Sequence, residues 1–157
     1  MKKLASLLLA ALCVCALLCA CGREPALPDA ERRTGVKAPG SCRLLYEYET
    51  SSIDSIWTLE VYEVDDGGWS FSPAVQKNSD YADTFDFTAY AEWVNGRERI
   101  GLPDGLKIDA DASEWCGSFT AGDNRYRDYI LIYDPARKLL YVIQDVHQYA
   151  DGAATGF

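Results

Sequence analysis

The sequence has few of the residues that most often build catalytic and metal centres. Its only histidine is His147. A hydrolytic triad also needs a nucleophile in a suitable turn, and neither Ser113 nor Ser118 lies in a Gly-x-Ser-x-Gly motif. After residue 21 the chain has no Cys-x-x-Cys pair and no cysteine and histidine spacing typical of zinc. We therefore predict no catalytic residue, no metal site and no cofactor.

Long apolar runs are also scarce. Residues 4–20 form one, but the run includes Ala, Ser and Cys, whereas a membrane-spanning helix needs about 20 strongly apolar residues. No later stretch comes close, so no transmembrane helix is predicted. The run follows Lys2 and Lys3 and ends in small residues, which is the order of a cleaved export signal.

This run ends in the sequence Leu-Cys-Ala-Cys at residues 18–21. A cysteine directly after a small residue resembles the lipobox of bacterial lipoproteins, and Cys21 lies between Ala20 and Gly22. The resemblance implies a signal peptide over residues 1–20 and a lipid on Cys21. It also implies that the mature protein lies on the extracytoplasmic face of the bacterial cell membrane. An ordinary secretory signal with incidental cysteines is the alternative.

The next residues favour a spacer followed by one domain. Residues 22–41 contain three prolines and mixed charges and show no apolar periodicity. They predict an extended, flexible linker. Residues 42–157 are long enough for one domain with its own core.

Positive charge is in short supply. The whole chain has a formal net charge of −9, and residues 42–157 are still more negative because the signal and the linker are net positive. Such a domain repels phosphate backbones, so nucleic-acid binding is not expected. The negative charge is consistent with two roles: it keeps the domain soluble, or it attracts cations and basic partners. The charge alone does not distinguish these roles.

Two cysteines remain after the anchor, Cys42 and Cys116. Thiols outside the cytoplasm tend to oxidise, so we predict that they form a disulfide. A loop of this length would contribute about 4 kcal/mol in the chain-entropy model. Two buried free thiols are the alternative.

Several stretches alternate apolar and polar residues, as half-buried strands do. The clearest are residues 43–50, 56–64 and 85–93. The last pair of predicted strands, residues 129–133 and 139–146, is apolar on both faces. We expect this pair to be central and covered on both sides by the linker, a loop or a partner.

Turn signals separate these stretches at short intervals. Asp65-Asp66-Gly67-Gly68 and Asn95-Gly96 are typical hairpin turns. Shorter strands are expected over residues 69–75, 97–102 and 115–119. The pattern predicts an all-β domain, an antiparallel β-sandwich or flattened barrel of about seven to nine short strands.

Residues 56–72 include the sequence Thr-Leu-Glu-Val-Tyr-Glu-Val-Asp-Asp-Gly-Gly-Trp. This stretch resembles small β-rich lipoproteins of Gram-positive bacteria. The resemblance implies only that the domain belongs to this class of β-rich lipoprotein, and it implies no mechanism.

Two groups of residues are candidates for ligand sites. Asp109, Asp111 and Ser113 match the first positions of a calcium loop, but Glu114 occupies the position of the required glycine. We therefore expect turn acids rather than metal ligands. Among the tryptophans, Trp57 and Trp93 follow the alternation of core residues.

Trp69 and Trp115 lie beside turns and are expected to be partly exposed. Exposed aromatic rings can stack on sugars, although most aromatic residues are core residues. Our leading hypothesis is a non-catalytic structural or interaction module that contacts another envelope protein through the apolar final strands. A glycan-binding module that uses Trp69 and Trp115 is the alternative.

Overall fold

The computed structural model of the chain describes residues 26–52, 55–65, 71, 85–122 and 125–148. Within these residues, five strands form one antiparallel sheet with a helix on each face. In chain order the elements are α1 (Ala26–Thr34), β1 (Cys42–Ser51), β2 (Ser55–Val64), α2 (Phe87–Gly96), a 3₁₀ turn (Asp104–Leu106), β3 (Glu114–Gly122), β4 (Arg125–Asp134) and β5 (Leu139–Gln148).

The strands lie in the order β1-β2-β5-β4-β3. Strands β3, β4 and β5 follow one another as antiparallel neighbours, and β5 then pairs with β2. This places β5 at the centre and β1 and β3 on the outside. The prediction that the last two strands are central and covered on both sides is confirmed, because residues of β4 and β5 belong to both core clusters.

The sheet has two buried faces, which we name after their helices. On β2, Trp57, Leu59 and Val61 point to the α2 face, whereas Tyr62 and Val64 point to the α1 face. The alternation follows from the period of two along a strand. The β content and the antiparallel pairing agree with the sequence prediction. The sandwich or barrel of seven to nine strands is not confirmed, since the described residues form a single open sheet.

Helix α2 replaces a predicted strand. Residues 85–93 were expected to alternate across a sheet, but residues from Phe87 onward are helical. The Asp86 side chain caps the helix by accepting the Ala89 N–H at 3.0 Å. Ala91 and Val94 are buried at helical spacing. The strand prediction is wrong because this short stretch has apolar residues at both strand and helix spacing, so its pattern fits either element. The Asp86 cap favours the helix.

The chain after α2 covers the sheet without forming the predicted strand over 97–102. Ile100, Leu102 and Ile108 are buried in the core of the α2 face. The Asn95 side chain binds both backbone groups of one residue in this loop. Its amide donates to the Ile108 carbonyl at 2.8 Å, and its carbonyl accepts the Ile108 N–H at 2.8 Å.

Residues 26–41 are not the extended linker that the sequence predicted. Ala26 and Ala30 of α1 are buried against the sheet, and Val36 joins the same cluster. Helix α1 has only nine residues and is polar on its outer side. An isolated helix of this length is not stable in water, so its stability comes from packing on the sheet.

The predicted disulfide is also wrong in this structure. Cys42 and Cys116 are both free thiols. They lie on the outer strands β1 and β3, and four strand spacings amount to about 19 Å. A disulfide needs Cα atoms closer than about 7 Å. Burial raises the pKa of Cys116 to about 12, which keeps this thiol protonated.

Of the short strands, residues 115–119 are confirmed as part of β3. The predicted strand over 69–75 lies outside the described residues apart from Phe71. Phe71 is buried, and its ring lies 6.0 Å from that of Tyr133.

Candidate functional site

Two aspartates face each other on the central strands. Asp128 of β4 and Asp145 of β5 are register partners on the α2 face. In the same row across the sheet, Trp57 is the register partner of Asp145 and Phe119 that of Asp128. Like charges directly opposite each other on neighbouring strands destabilise a sheet when both are ionised.

Burial and the closeness of the two carboxyl groups favour the protonated form of each aspartate. Burial raises the pKa of Asp128 to about 7, and the carboxylate of Asp145 adds to the increase. One Asp128 carboxyl oxygen is buried without a hydrogen-bond partner among the described residues. Burial also raises the pKa of Asp145, against the opposing effect of His147. Both carboxyl groups of the pair therefore hold a proton more tightly than exposed aspartates do.

His147 completes this cluster. Its Nε2 lies 2.6 Å from Oδ1 of Asp145. The sequence places His147 at the end of a strand and gives it no catalytic role. In the structure its imidazole ring contacts Asp145 of the acid pair. Ser118 lies on the opposite face of the sheet, as the register partner of Tyr129. The sheet therefore separates Ser118 from the histidine, whereas Ser55 of β2 is the register partner of His147.

Aromatic side chains form a continuous layer over the α2 face. Trp57 makes edge contacts with Tyr48 at 6.0 Å and with Trp93 at 5.9 Å between ring centroids. Trp93 stacks on Tyr90 at 5.7 Å, and the Arg97 guanidinium lies 4.1 Å from the centroid of the Trp93 ring. Trp93 was expected in the core, yet it is 41% exposed.

The structure describes only one of the two tryptophans proposed for sugar binding, Trp115. Trp115 is half-buried, and Phe87 stacks on it with centroids 5.6 Å apart. Phe85 contacts the same indole at 4.9 Å. The ring therefore packs against two phenylalanines and is only partly exposed. Trp69 lies outside the described residues.

An open groove of about 410 Å³ runs beside α2. Its charged lining consists of Glu92, Asp104, Lys107, Asp109, Asp111 and Arg137. Both cations are engaged in bonds within the domain. The Lys107 ammonium lies 2.7 Å from Asp104, and Arg137 donates to the buried Asp134 at 2.5 Å and to the Lys107 carbonyl at 2.8 Å.

The acids of this groove include the residues compared with a calcium loop. Asp109 accepts the backbone N–H groups of Asp111 and Ala112, each at 3.2 Å, which makes it a turn residue. Ser113 is half-buried nearby. No group of three metal-ligating side chains occurs among the residues that the structure describes.

A buried carboxylate joins α1 to the sheet. Glu60 of β2 is 3% exposed, and its Oε1 accepts the backbone N–H of Ala26 at 2.8 Å. Its Oε2 accepts the hydroxyl of Tyr62 at 2.8 Å. The positive end of the helix dipole and two hydrogen bonds offset the cost of burying this charge.

Sequence reasoning missed Glu60, Asp128 and Asp145. Glu60 sits at a polar position of an alternating strand, so it was expected to face solvent. Asp145 was the better signal, because it is the one acidic residue of β5. Its partner Asp128 is identified only by the register of β4 and β5.

Cys21 lies outside the described residues. Among the helices within the described ranges, none is long and apolar enough to cross a membrane. No protein-family model matches the chain, and searches of curated proteins and of solved structures find no significant match.

Proposed function

We propose that this protein is an exported, lipid-anchored domain that binds a basic segment of another envelope protein and performs no catalysis. The export signal and Cys21 in the sequence support the anchor. The observation that carries the binding role is the acidic groove beside α2.

The groove has an excess of negative charge that the domain itself does not neutralise. Glu92, Asp109 and Asp111 are exposed at its surface. Lys107 is paired with Asp104 and Arg137 with Asp134, so each of these cations already has a carboxylate partner, although Arg137 also attracts Asp109. A partner that supplies lysine or arginine side chains is therefore attracted to the groove, and the attraction also accelerates association.

The apolar final strands no longer support the interaction hypothesis. Residues Ile130, Ile132, Leu140 and Val142 of β4 and β5 are buried in the two cores. They stabilise the domain and offer no surface to a partner. The groove is a separate surface on the α2 side, and neither Asp128 nor Asp145 lines it.

Photo-crosslinking in cells tests this function. A photoreactive amino acid in place of Glu92 is expected to capture an envelope protein, whereas one in place of Arg32 on α1 is not. The double variant Glu92→Lys/Asp111→Lys should lose the crosslink from a neighbouring groove position, Thr88. Glu98→Lys is the matched control, because Glu98 is exposed outside the groove.

Capture that survives charge reversal in the groove contradicts a basic partner. Glycan binding is the alternative that the sequence raised. It predicts that Trp69→Ala abolishes retention on an oligosaccharide matrix without unfolding the domain. The packing of Trp115 between Phe85 and Phe87 gives that alternative no support from the described residues.

A further inference from the structure

The N-terminal end of the folded domain is fixed at one point on the sheet. The bond from Ala26 to the buried Glu60 carboxylate holds the first residue of α1 over β2. At the other end of the helix, Thr34 lies beside Cys116 of β3. Helix α1 therefore crosses the sheet from β2 toward β3, and its first turn points to the β1 edge.

Few residues separate this point from the proposed anchor. Residues 22–25 are all that stand between Cys21 and α1. A chain from Cys21 to Ala26 spans at most about 18 Å when fully extended. The five strands of the sheet span about 19 Å from β1 to β3. Ala26 lies over β2, one strand spacing from β1 and three spacings, about 14 Å, from β3, so a link this short favours orientations in which the β1 edge is nearer to the membrane.

We propose that the lipid on Cys21 and the docked helix α1 together hold the β1 edge of the sheet toward the membrane surface, with β3 farther away. The inference rests on the proposed lipid anchor and adds to it an orientation and a second interacting surface, the bilayer itself.

The charges of β1 indicate that the covalent link sets this orientation. Arg43 is already paired with Glu63 at 2.6 Å, and Glu47 is exposed and negative. Such an edge has no excess of positive charge to attract anionic headgroups. The orientation should therefore be the same on neutral and on anionic membranes.

The orientation has a consequence for each side of the domain. Among the described strands β1 lies at an edge, and an edge strand can pair with other chains, so a nearby bilayer limits access to it. No β1 residue lines the groove beside α2, so the groove remains accessible to a partner.

Fluorescence quenching on vesicles tests the orientation. The lipidated full-length protein is reconstituted into phosphatidylcholine vesicles that contain a nitroxide-headgroup lipid. A fluorescent amino acid replaces either Glu47 on β1 or Glu114 on β3, both of which are exposed. We expect a larger loss of fluorescence at position 47 than at position 114, with the same difference when phosphatidylglycerol is added.

Two variants identify the cause. A Gly-Ser insertion of about 20 residues after Gly22 should remove the difference without touching the fold, because a flexible chain of that length reaches well beyond the sheet. Glu60→Met should also reduce it by releasing α1, whereas Glu60→Gln keeps an acceptor for Ala26 and should retain most of it.

Each outcome has a separate meaning. Equal quenching at the two positions in protein that floats with the vesicles overturns the orientation and leaves the lipid anchor intact. A difference that persists after the insertion shows that headgroup contacts set the orientation, which also overturns the proposal. Protein that does not float contradicts the lipid anchor and the orientation together.

Discussion

Asp128 and Asp145 lie directly opposite each other on the two strands that are buried on both faces of the sheet. A pair of carboxyl groups in this position destabilises the fold when both are ionised, and a proton on the pair or the contact of Asp145 with His147 reduces that cost. The pair therefore couples stability to pH.

We expect the domain to lose stability as pH rises from 5 to 8. Folding raises the pKa of Asp128 from 3.8 to about 7, so folding favours its neutral form. The contribution is fully present below about pH 4 and is lost as pH rises through about 7. Allowing for the partial exposure of the cluster, the loss should be about 1–2 kcal/mol in the free energy of unfolding. Urea unfolding at pH 5, 6.5 and 8 measures it.

The variant Asp128→Asn separates this pair from the general negative charge of the domain. It should flatten the pH dependence and raise stability at pH 8, since no second carboxylate then faces Asp145. Asp111→Asn is the control, because Asp111 is exposed on a loop. Equal pH slopes in the wild type and in Asp128→Asn contradict the role of the pair.

Replacing Glu60 should loosen α1 more than the rest of the domain. Glu60→Met leaves the Ala26 N–H and the Tyr62 hydroxyl without their acceptor. Unsatisfied buried donors cost about 1–3 kcal/mol each, so the helix should open locally. Hydrogen exchange should show faster exchange in residues 26–34 than in β5. Tyr62→Phe removes one of the two bonds and should cost about 1 kcal/mol, with α1 still protected. Unchanged exchange in α1 of Glu60→Met argues against the docking.

The side chain of Asn95 should be important for the loop that covers the α2 face. Asn95→Ala removes both bonds to Ile108 and should lower the free energy of unfolding by about 2 kcal/mol. Asn95→Asp keeps the acceptor for the Ile108 N–H but places a carboxylate oxygen against the Ile108 carbonyl. It should therefore also destabilise, and less so at low pH. Thermal unfolding of the wild type and the two variants measures these effects. An Asn95→Ala variant that is as stable as the wild type contradicts the contribution of the two hydrogen bonds to Ile108.

Cys42 and Cys116 should both react with iodoacetamide in denaturant without added reductant. Their positions on the two outer strands prevent a disulfide within the native sheet. Mass spectrometry of tryptic peptides detects the two adducts. In the native protein, the half-buried Cys42 should react before Cys116, which is fully buried and whose pKa is raised to about 12. Peptides joined by a disulfide contradict the structure.

Strand positions were predicted well where the period was unambiguous. Residues 56–64 and 139–146 alternate or are apolar throughout and contain β-branched and aromatic residues, and both form strands. Residues 85–93 also contain apolar residues at helical spacing, so local pattern alone did not separate helix from strand. The Asp86 cap and the packing of Val94 against the sheet favour the helix.

Local sequence thus determined which segments become central strands and predicted the export signal and Cys21, because these features depend on residues close together in the chain. The tertiary structure decided the strand order, the partner of Asp128, the separation of Cys42 from Cys116 and the docking of α1 on Glu60. Each of these depends on which distant segments become neighbours. That choice minimises exposed apolar surface and unsatisfied polar groups over the whole domain, so no single stretch of sequence contains it.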